Sequence, residues 1–338
     1  MTDMKETLSS LSQKTGFSIT TISRVLGGKA DEYRISKETR DAVMAAAKRC
    51  NYFPNIVAQN LRRNRTDTIG LLVPALNNPY FAEIASVVIN EARRNKYTTI
   101  VLDSAEQEKS EEQAISTLMS HHIDGLLAVP CGENPSLLEE INKKFLPVIQ
   151  IDRCYQESEL PYVTTNNYSG SVDAVNHLIK SGHKKIACIQ GAVTSVPNRK
   201  RVAGYLSALK KADLQENAII VGGEFSVQGG YIETKLLLNM DERPTAIFAL
   251  SNTITLGAVK AVREAGLRIP EDVSILGFDN NMYMDYMTPA ISRISQPTEE
   301  MGKMGFKILF DCIKSGTRCK TKIELAPTLI LRESIRVI

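Results

Sequence analysis

Apolar positions keep two rhythms along this chain. Up to about residue 66 they recur three and four apart in short stretches, the spacing of one helical face. Thr7 stands before Leu8 and Leu11, Ser18 before Ile22, Val25 and Leu26, and Ser36 before Val43, Met44 and Ala47. A hydroxyl just ahead of an apolar face signals an N-cap, because its oxygen can accept one of the first-turn N–H groups that a helix leaves unbonded. Three helices are predicted, the first two joined across Gly16. Beyond Pro54, Asn55 caps a further two-turn stretch with Val57, Ala58 and Leu61 on one side. A helix that short is marginal in water, since nucleation is costly and few bonds follow it, so it needs something to hold it.

From Thr68 onward, compact apolar runs alternate with longer amphipathic stretches. Ile69-Gly70-Leu71-Leu72-Val73 reads as a strand buried on both faces. The predicted order continues with helix 80–95, strand 98–103, helix 107–121, strand 125–129, helix 136–144 and strand 147–152. After Thr164 the pattern repeats, with helices over 169–181, 199–211, 227–238 and 255–265 between strands over 185–190, 218–221, 245–250 and 273–278. A last helix over 299–314 and strands around Ile323 and Leu329 close the chain. Strand-helix alternation of this kind implies right-handed crossovers and parallel sheets. The expected fold class is therefore α/β, with an N-terminal helix-turn-helix headpiece and a short further helix followed by two parallel-sheet α/β lobes. The divisions expected are 1–53 for the headpiece, 54–66 for the short helix and linker, and 67–338 for the rest. Within the last, one lobe would take about 67–162 and 292–325 and the other about 163–291 and 326–338.

Charge sharpens this division. Residues 1–65 hold 12 Lys and Arg against 6 Asp and Glu, and the remainder 29 against 32, so the basic excess lies wholly in the headpiece, where phosphates would be met. No apolar run resembles a signal peptide or is long enough to span a bilayer, so a cytoplasmic protein without membrane association is expected. The six cysteines are scattered, without a Cys-x-x-Cys pair or a neighbouring His, which favours reduced structural thiols over a zinc site. An α/β enzyme should show a nucleophile elbow, a P-loop or a metal cluster. Gly222-Gly223 and Gly229-Gly230 lack the Gly-Lys-Ser/Thr ending, and no Gly-x-Gly-x-x-Gly follows Val73 or Gln190. A sugar receptor would share the two lobes but would have no use for a basic headpiece. Neither an enzyme nor a cofactor is expected.

Two short helices about a Gly turn form a helix-turn-helix, in which the second helix enters the major groove. Ile19, Thr20 and Arg24 would then read base edges. The run from Thr7 to Leu61 resembles the headpiece of the lactose/galactose-repressor family in three ordered pieces. These are Gly-x-Ser-x-x-Thr-x-Ser-Arg-Val at Gly16 to Val25, Asn51-Tyr52-x-Pro-Asn, and Val-Ala-x-x-Leu at Val57 to Leu61. Ser12 and Ser10 depart from the family's usual Ala and Asp. The resemblance implies DNA contacts from Ser18, Ile19, Thr20, Thr21, Ser23 and Arg24, and from Asn55, Ala58 and Leu61 of the hinge. There Leu61 would wedge into the minor groove of a pseudo-palindromic operator bound by a homodimer. The two lobes resemble periplasmic-type sugar-binding proteins, which the family carries as its effector domain, so the likeness extends over essentially the entire chain.

Ligands of such sheets bind beyond the carboxyl ends of the strands, which nominates Asp103, Asp152, Asn252 and Asp279. Tyr80 and Phe81 could offer an aromatic face to the C–H side of a sugar. Carried over from the family, effector contacts fall on Tyr80, Phe81, Asp152, Arg201, Asn252, Asp279 and Gln296. Thr253 departs from the family's Asp. The loop Gly27 to Ser36 and Phe278-Asp279-Asn280-Asn281 are similar to the fructose and sucrose repressors, so the small-molecule effector is expected to be a sugar or a sugar phosphate. Arg199, Lys200 and Arg201 sit together at one helix start. They could serve a phosphate or form a solvated face.

Overall fold

The computed structural model describes residues 6–52 and 65–338 and divides into two compact units, Met1–Thr66 and Asp67–Ile338. Asn55, Ala58 and Leu61, expected in the hinge helix, lie outside the described residues.

The first unit contains α1 (Leu8–Thr15), α2 (Ile19–Leu26) and α3 (Lys37–Arg49), capped by Thr7, Ser18 and Ser36 through hydrogen bonds from the N–H groups of Ser10, Thr21 and Thr39. Gly16 closes α1 with φ +73°, a left-handed conformation that costs glycine nothing. Leu11, Ile22, Val25, Ala30, Val43, Ala46 and Ala47 form the core. Met44 was expected on that stripe and is instead 53% exposed. The buried face of α3 runs through Val43, Ala46 and Ala47, which keeps the i, i+3, i+4 spacing and turns Met44 outward.

The second unit holds two six-stranded sheets. The first has the order β11-β5-β4-β3-β1-β2, with β1 (Thr68–Val73), β2 (Thr98–Asp103), β3 (Gly125–Ala128), β4 (Val148–Ile151), β5 (Tyr162–Thr165) and β11 (Lys322–Leu325). The second has the order β12-β10-β9-β8-β6-β7, with β6 (Ile186–Ile189), β7 (Ile219–Val221), β8 (Ala246–Ala249), β9 (Ser274–Phe278), β10 (Ser292–Ser295) and β12 (Thr328–Ile330). Every pairing is parallel except that of β10 with β12. The connecting helices are α4 (Pro79–Arg94), α5 (Glu108–Ser120), α6 (Ser136–Lys144), α7 (Asn167–Lys180), α8 (Val196–Lys211), α9 (Val227–Leu238), α10 (Asn252–Glu264) and α11 (Thr298–Ser315).

Two lobe boundaries differ from expectation. The first sheet runs through β5 to Thr165, beyond the expected crossing near 162, and residues 292–295, expected to open the return to the first lobe, instead form β10 beside β9 in the second. Ser292-Arg293-Ile294-Ser295 has one aliphatic residue and an arginine, which is why periodicity does not mark it as a buried strand. The Arg293 side chain is buried nonetheless, its charge met by the Asp285 carboxylate at 2.8 and 3.0 Å and by Asn280 Oδ1 at 2.9 Å. The chain then crosses back through α11, which packs on α4 and on β3, β4 and β5 of the first sheet.

Candidate functional site

In the first unit the candidate surface is the front of α2. Because Ile22 and Val25 are drawn into the core, the helical repeat turns Ser18, Ile19 and Thr20 outward, and Ile19 is 48% exposed. Thr21 and Ser23 are half-buried at the sides, and the Ser18 and Thr21 hydroxyls lie 2.9 Å apart. Arg24 stands one turn on, with its Cζ 3.7 Å from the ring centroid of Tyr33. An exposed isoleucine between a serine and a threonine, with an arginine one turn on, suits a groove floor of thymine methyls and base-edge acceptors.

In the second unit the candidate site lies between the lobes at the carboxyl ends of the strands. Asp152 follows β4, Ser251 and Asn252 follow β8, Asp279 follows β9 and Gln296 follows β10. Asp152 and Asp279 both turn the chain with left-handed backbones, φ +64° and +75°, and both carboxylates are buried. One continuous hydrogen-bond chain joins them. The Tyr80 hydroxyl donates to Asp152 Oδ1 at 2.6 Å, with Gln296 Oε1 3.1 Å away. Gln296 Nε2 donates to Asp279 Oδ1 at 2.6 Å, and Asp279 Oδ2 accepts the Asn252 N–H at 3.0 Å. Asn252 Nδ2 then donates to Asn281 Oδ1 at 2.7 Å and, back across the cleft, to Asn78 Oδ1 at 2.9 Å. Asn78 also caps α4, the helix that presents Tyr80 and Phe81.

Burial lifts the Asp152 carboxyl above the usual carboxylate range, while the Tyr80 hydrogen bond and Arg201 pull it back. Burial and the neighbouring Asp152 raise the Tyr80 phenol well above its ordinary value, so it stays a donor. Arg201 reaches in from α8. Its Nε donates to Asn167 Oδ1 at 2.7 Å, its Nη1 to the Leu250 carbonyl at 2.6 Å, and its Cζ lies 3.7 Å from the Phe278 ring centroid.

Tyr80, Phe81, Asp152, Arg201, Asp279 and Gln296 line one small cavity, and Asn252 stands one hydrogen bond behind Asp279. Tyr80 and Phe81 belong at the same time to the core of the first lobe. Asp103 is absent from the lining: its carboxylate accepts the N–H groups of Leu76 and Ala105 and shapes the turn after β2. Sequence reasoning missed Glu106, Arg153, Ser195, Pro197, Phe225 and Ser251, which complete the lining. Arg153 directly follows Asp152 at a strand end, a signal that could have nominated it. Its partner Glu106, which meets it through two bonds of 2.6 and 2.7 Å, lies 47 residues away and leaves no local mark. The cavity measures about 30 Å³, room for a water or two. A larger cavity of about 240 Å³ adjoins it along Arg153 and Ser195.

The basic cluster at the start of α8 disperses. Arg199 turns to Glu133 at 3.5 Å and the Thr194 carbonyl at 2.6 Å and lines the larger cavity, Lys200 turns to Glu324 at 2.7 Å, and of the three only Arg201 lines the small cavity. Glu106, Asp152 and Asp279 against Arg153 and Arg201 leave the lining without an excess of positive charge.

Residues 7–55 match the bacterial regulatory proteins of the lacI family, and residues 175–335 match a periplasmic binding protein-like domain. The ribose operon repressor of Haemophilus influenzae is 35% identical over 330 residues, 97% of this chain and 98% of that protein. The HTH-type transcriptional repressor PurR of Pectobacterium carotovorum subsp. carotovorum is 34% identical over 333 residues, 97% and 96% of the two chains. Among solved structures, the lac repressor dimer bound to operator and the anti-inducer ONPF superposes with a TM-score of 0.88 at 25% identity, covering 98% of this chain and all of that one. A LacI family transcriptional regulator from Enterococcus faecium with bound ribose gives 0.73 at 29% identity over 80% of this chain and 99% of that one. This chain belongs to the lacI family of bacterial regulatory proteins and is a DNA-binding transcriptional regulator whose two-lobed unit takes a small-molecule effector.

Proposed function

We propose that this regulator is a homodimeric, non-enzymatic repressor acting in the cytoplasm on a pseudo-palindromic operator, and that its effector is a neutral monosaccharide of the pentose or ketohexose class. α2 reads base edges through Ser18, Ile19, Thr20, Thr21, Ser23 and Arg24, and paired hinge segments with Asn55, Ala58 and Leu61 meet the operator centre. Effector closure shifts the lobes and separates the paired hinges, a coupling that needs about 1–3 kcal/mol of differential affinity between the two states.

The observation that carries the effector reading is the divergence of Arg199, Lys200 and Arg201, which leaves two guanidiniums in the small cavity, Arg153 and Arg201, against three carboxylates, Glu106, Asp152 and Asp279. A phosphate dianion would face Asp152 and Asp279 there, whereas sugar hydroxyls can donate to both carboxylates and accept from Arg201. The ribose repressor relative and the ribose-bound regulator support a pentose. The Phe278-Asp279-Asn280-Asn281 run, similar to the fructose and sucrose repressors and carrying Asp279 of the cavity lining, supports a ketohexose. A planar heterocycle is the second reading, because Phe81 and Phe225 both line the cavity, with the Arg153 guanidinium 5.6 and 5.8 Å from their ring centroids. Support for the dimer comes from the lac repressor, solved as a dimer on its operator, and from exposed Ile232 and Leu236 on α9 with Met240, Met282 and Tyr286.

The test is a thermal-shift screen of the full chain against ribose, fructose, their phosphates and purine bases. At a hundredfold excess over Kd a true effector stabilises by about 2.7 kcal/mol, which for a domain of this size raises Tm by roughly 5–10 °C. Asp279→Ala should abolish that shift and leave operator binding intact. A shift with the phosphates and none with the neutral sugars would overturn the reading.

A further inference from the structure

The ten-residue connection from Gly27 to Ser36 is longer than a turn between two helices requires, and the structure shows it as a built element. Gly28, at φ +70°, redirects the chain after α2. Ala30 is buried in the headpiece core, and Asp31 pairs with Arg40 of α3. The Lys29 N–H bonds back to the Arg24 carbonyl at 2.9 Å, the Tyr33 N–H to the Lys29 carbonyl at 3.2 Å and the Ile35 N–H to the Ala30 carbonyl at 2.9 Å. What this loop delivers is Tyr33. The residue is 43% exposed and lies outside the headpiece core, and its ring lies under the Arg24 guanidinium, with Cζ 3.7 Å from the centroid. Among the described residues no hydrogen-bond acceptor or carboxylate engages the Arg24 guanidinium.

We propose that Tyr33 is a positioning residue for DNA reading, holding the Arg24 guanidinium by its face so that its edge is presented to a base. The inference rests on the proposed reading of Arg24 as a base reader. Its physical content is the choice of contact. Bidentate recognition of guanine O6 and N7 uses two N–H groups on the edge of the guanidinium, and a carboxylate partner would occupy that same edge. A ring engages the face instead and leaves the edge donors available. It also removes rotamers that a long, free side chain would have to give up on binding.

The experiment is selection by the full-length protein from duplexes randomised over the span of two half-sites, with base preference scored position by position. Four proteins are compared with the unmodified chain: Arg24→Ala, Tyr33→Leu, Tyr33→Phe, and Arg24→Ala combined with Tyr33→Leu. Arg24→Ala should erase the preference at one symmetry-related pair of positions. Tyr33→Leu, which keeps apolar bulk and loses the π face, should weaken discrimination at that same pair by about two- to fivefold and leave the other positions unchanged. Tyr33→Phe should keep it, and Tyr33→Leu should add nothing once Arg24 is gone. An unchanged preference in Tyr33→Leu, an even loss across all positions, or a sharper preference from a released Arg24 would each overturn the role of Tyr33 while leaving Arg24 a reader. An intact preference in Arg24→Ala would remove Arg24 as a reader and the role of Tyr33 with it.

Discussion

Arg24 on α2 and Arg201 on α8 each lie over an aromatic ring at 3.7 Å, Tyr33 for the first and Phe278 for the second. Their surroundings are otherwise opposite. Arg201 is buried and two of its nitrogens are bonded to Asn167 and the Leu250 carbonyl, whereas Arg24 is half-exposed with its donors uncommitted among the described residues. The difference extends to their neighbourhoods. Around Arg201, buried polar groups satisfy one another across two lobes, so the donors and acceptors of the site are already placed by one another. Around Arg24, polar groups face outward and wait for a partner rich in acceptors. A small ligand offers few contacts and must find them preorganised, while a duplex supplies a long surface of its own and needs only a well-aimed face.

The same substitution at both positions breaks the comparison most directly. Arg201→Met keeps an unbranched chain over Phe278 but leaves Asn167 Oδ1 and the Leu250 carbonyl without their donor. It also removes a positive charge that holds the Asp152 carboxyl down. Stranding buried groups in this way costs about 3–5 kcal/mol, so the two-lobed unit should melt well below the unmodified chain and show no effector shift. A Tm within a degree or two of the unmodified chain would mean that the Arg201 network contributes nothing to the fold.

A smaller effect of opposite sign is expected at Asp152. Burial raises its carboxyl pKa, so between the unfolded value, about 3.9, and the raised folded value the native state binds a proton that the unfolded chain has lost. Stability is therefore lost as pH rises through that window, and at neutral pH the full cost of an ionised buried carboxylate is present. Asp152→Asn keeps an oxygen to accept from Tyr80 and removes the charge. The ligand-free protein should gain about 1 kcal/mol at pH 7, little or nothing near pH 4, and should lose effector affinity. Melting curves at the two pH values check the sign, and an equal gain at both would show that the charge is not the cause.

The two neighbourhoods also differ in how far they can be read from sequence. The headpiece is written locally: Thr7, Ser18 and Ser36 each cap the helix that begins at the next residue, through an N–H three residues ahead, and Gly16 makes the turn between the first two. Where local reading slips there, at Met44, the error is one helical position. In the cleft, parallel topology makes Asp152, Asn252 and Asp279 legible as strand-end residues, because any parallel sheet brings those ends together. Their partners are another matter. Tyr80 and Gln296 lie 216 residues apart and Arg153 and Glu106 47 apart, and no window of sequence relates them. β10 was missed because its buried arginine is tolerable only through Asp285 and Asn280, which the strand itself does not announce.

The smallest expected effect on stability is at Arg24, and it is the sharpest test of the contrast. Arg24→Met, the change already made at Arg201, removes one stacking contact with Tyr33 and strands no hydrogen-bond partner among the described residues. Surface substitutions of this kind usually stay within about 0.5 kcal/mol, so the headpiece should keep its amide protection in hydrogen exchange while operator binding loses roughly 1–3 kcal/mol. The loss should fall on cognate duplex far more than on unrelated duplex, since phosphate contacts from the rest of the basic headpiece remain. If cognate and unrelated DNA weakened equally, Arg24 would be acting as a phosphate-binding charge. The two stacked arginines would then differ only in burial and not in what their donors are kept for.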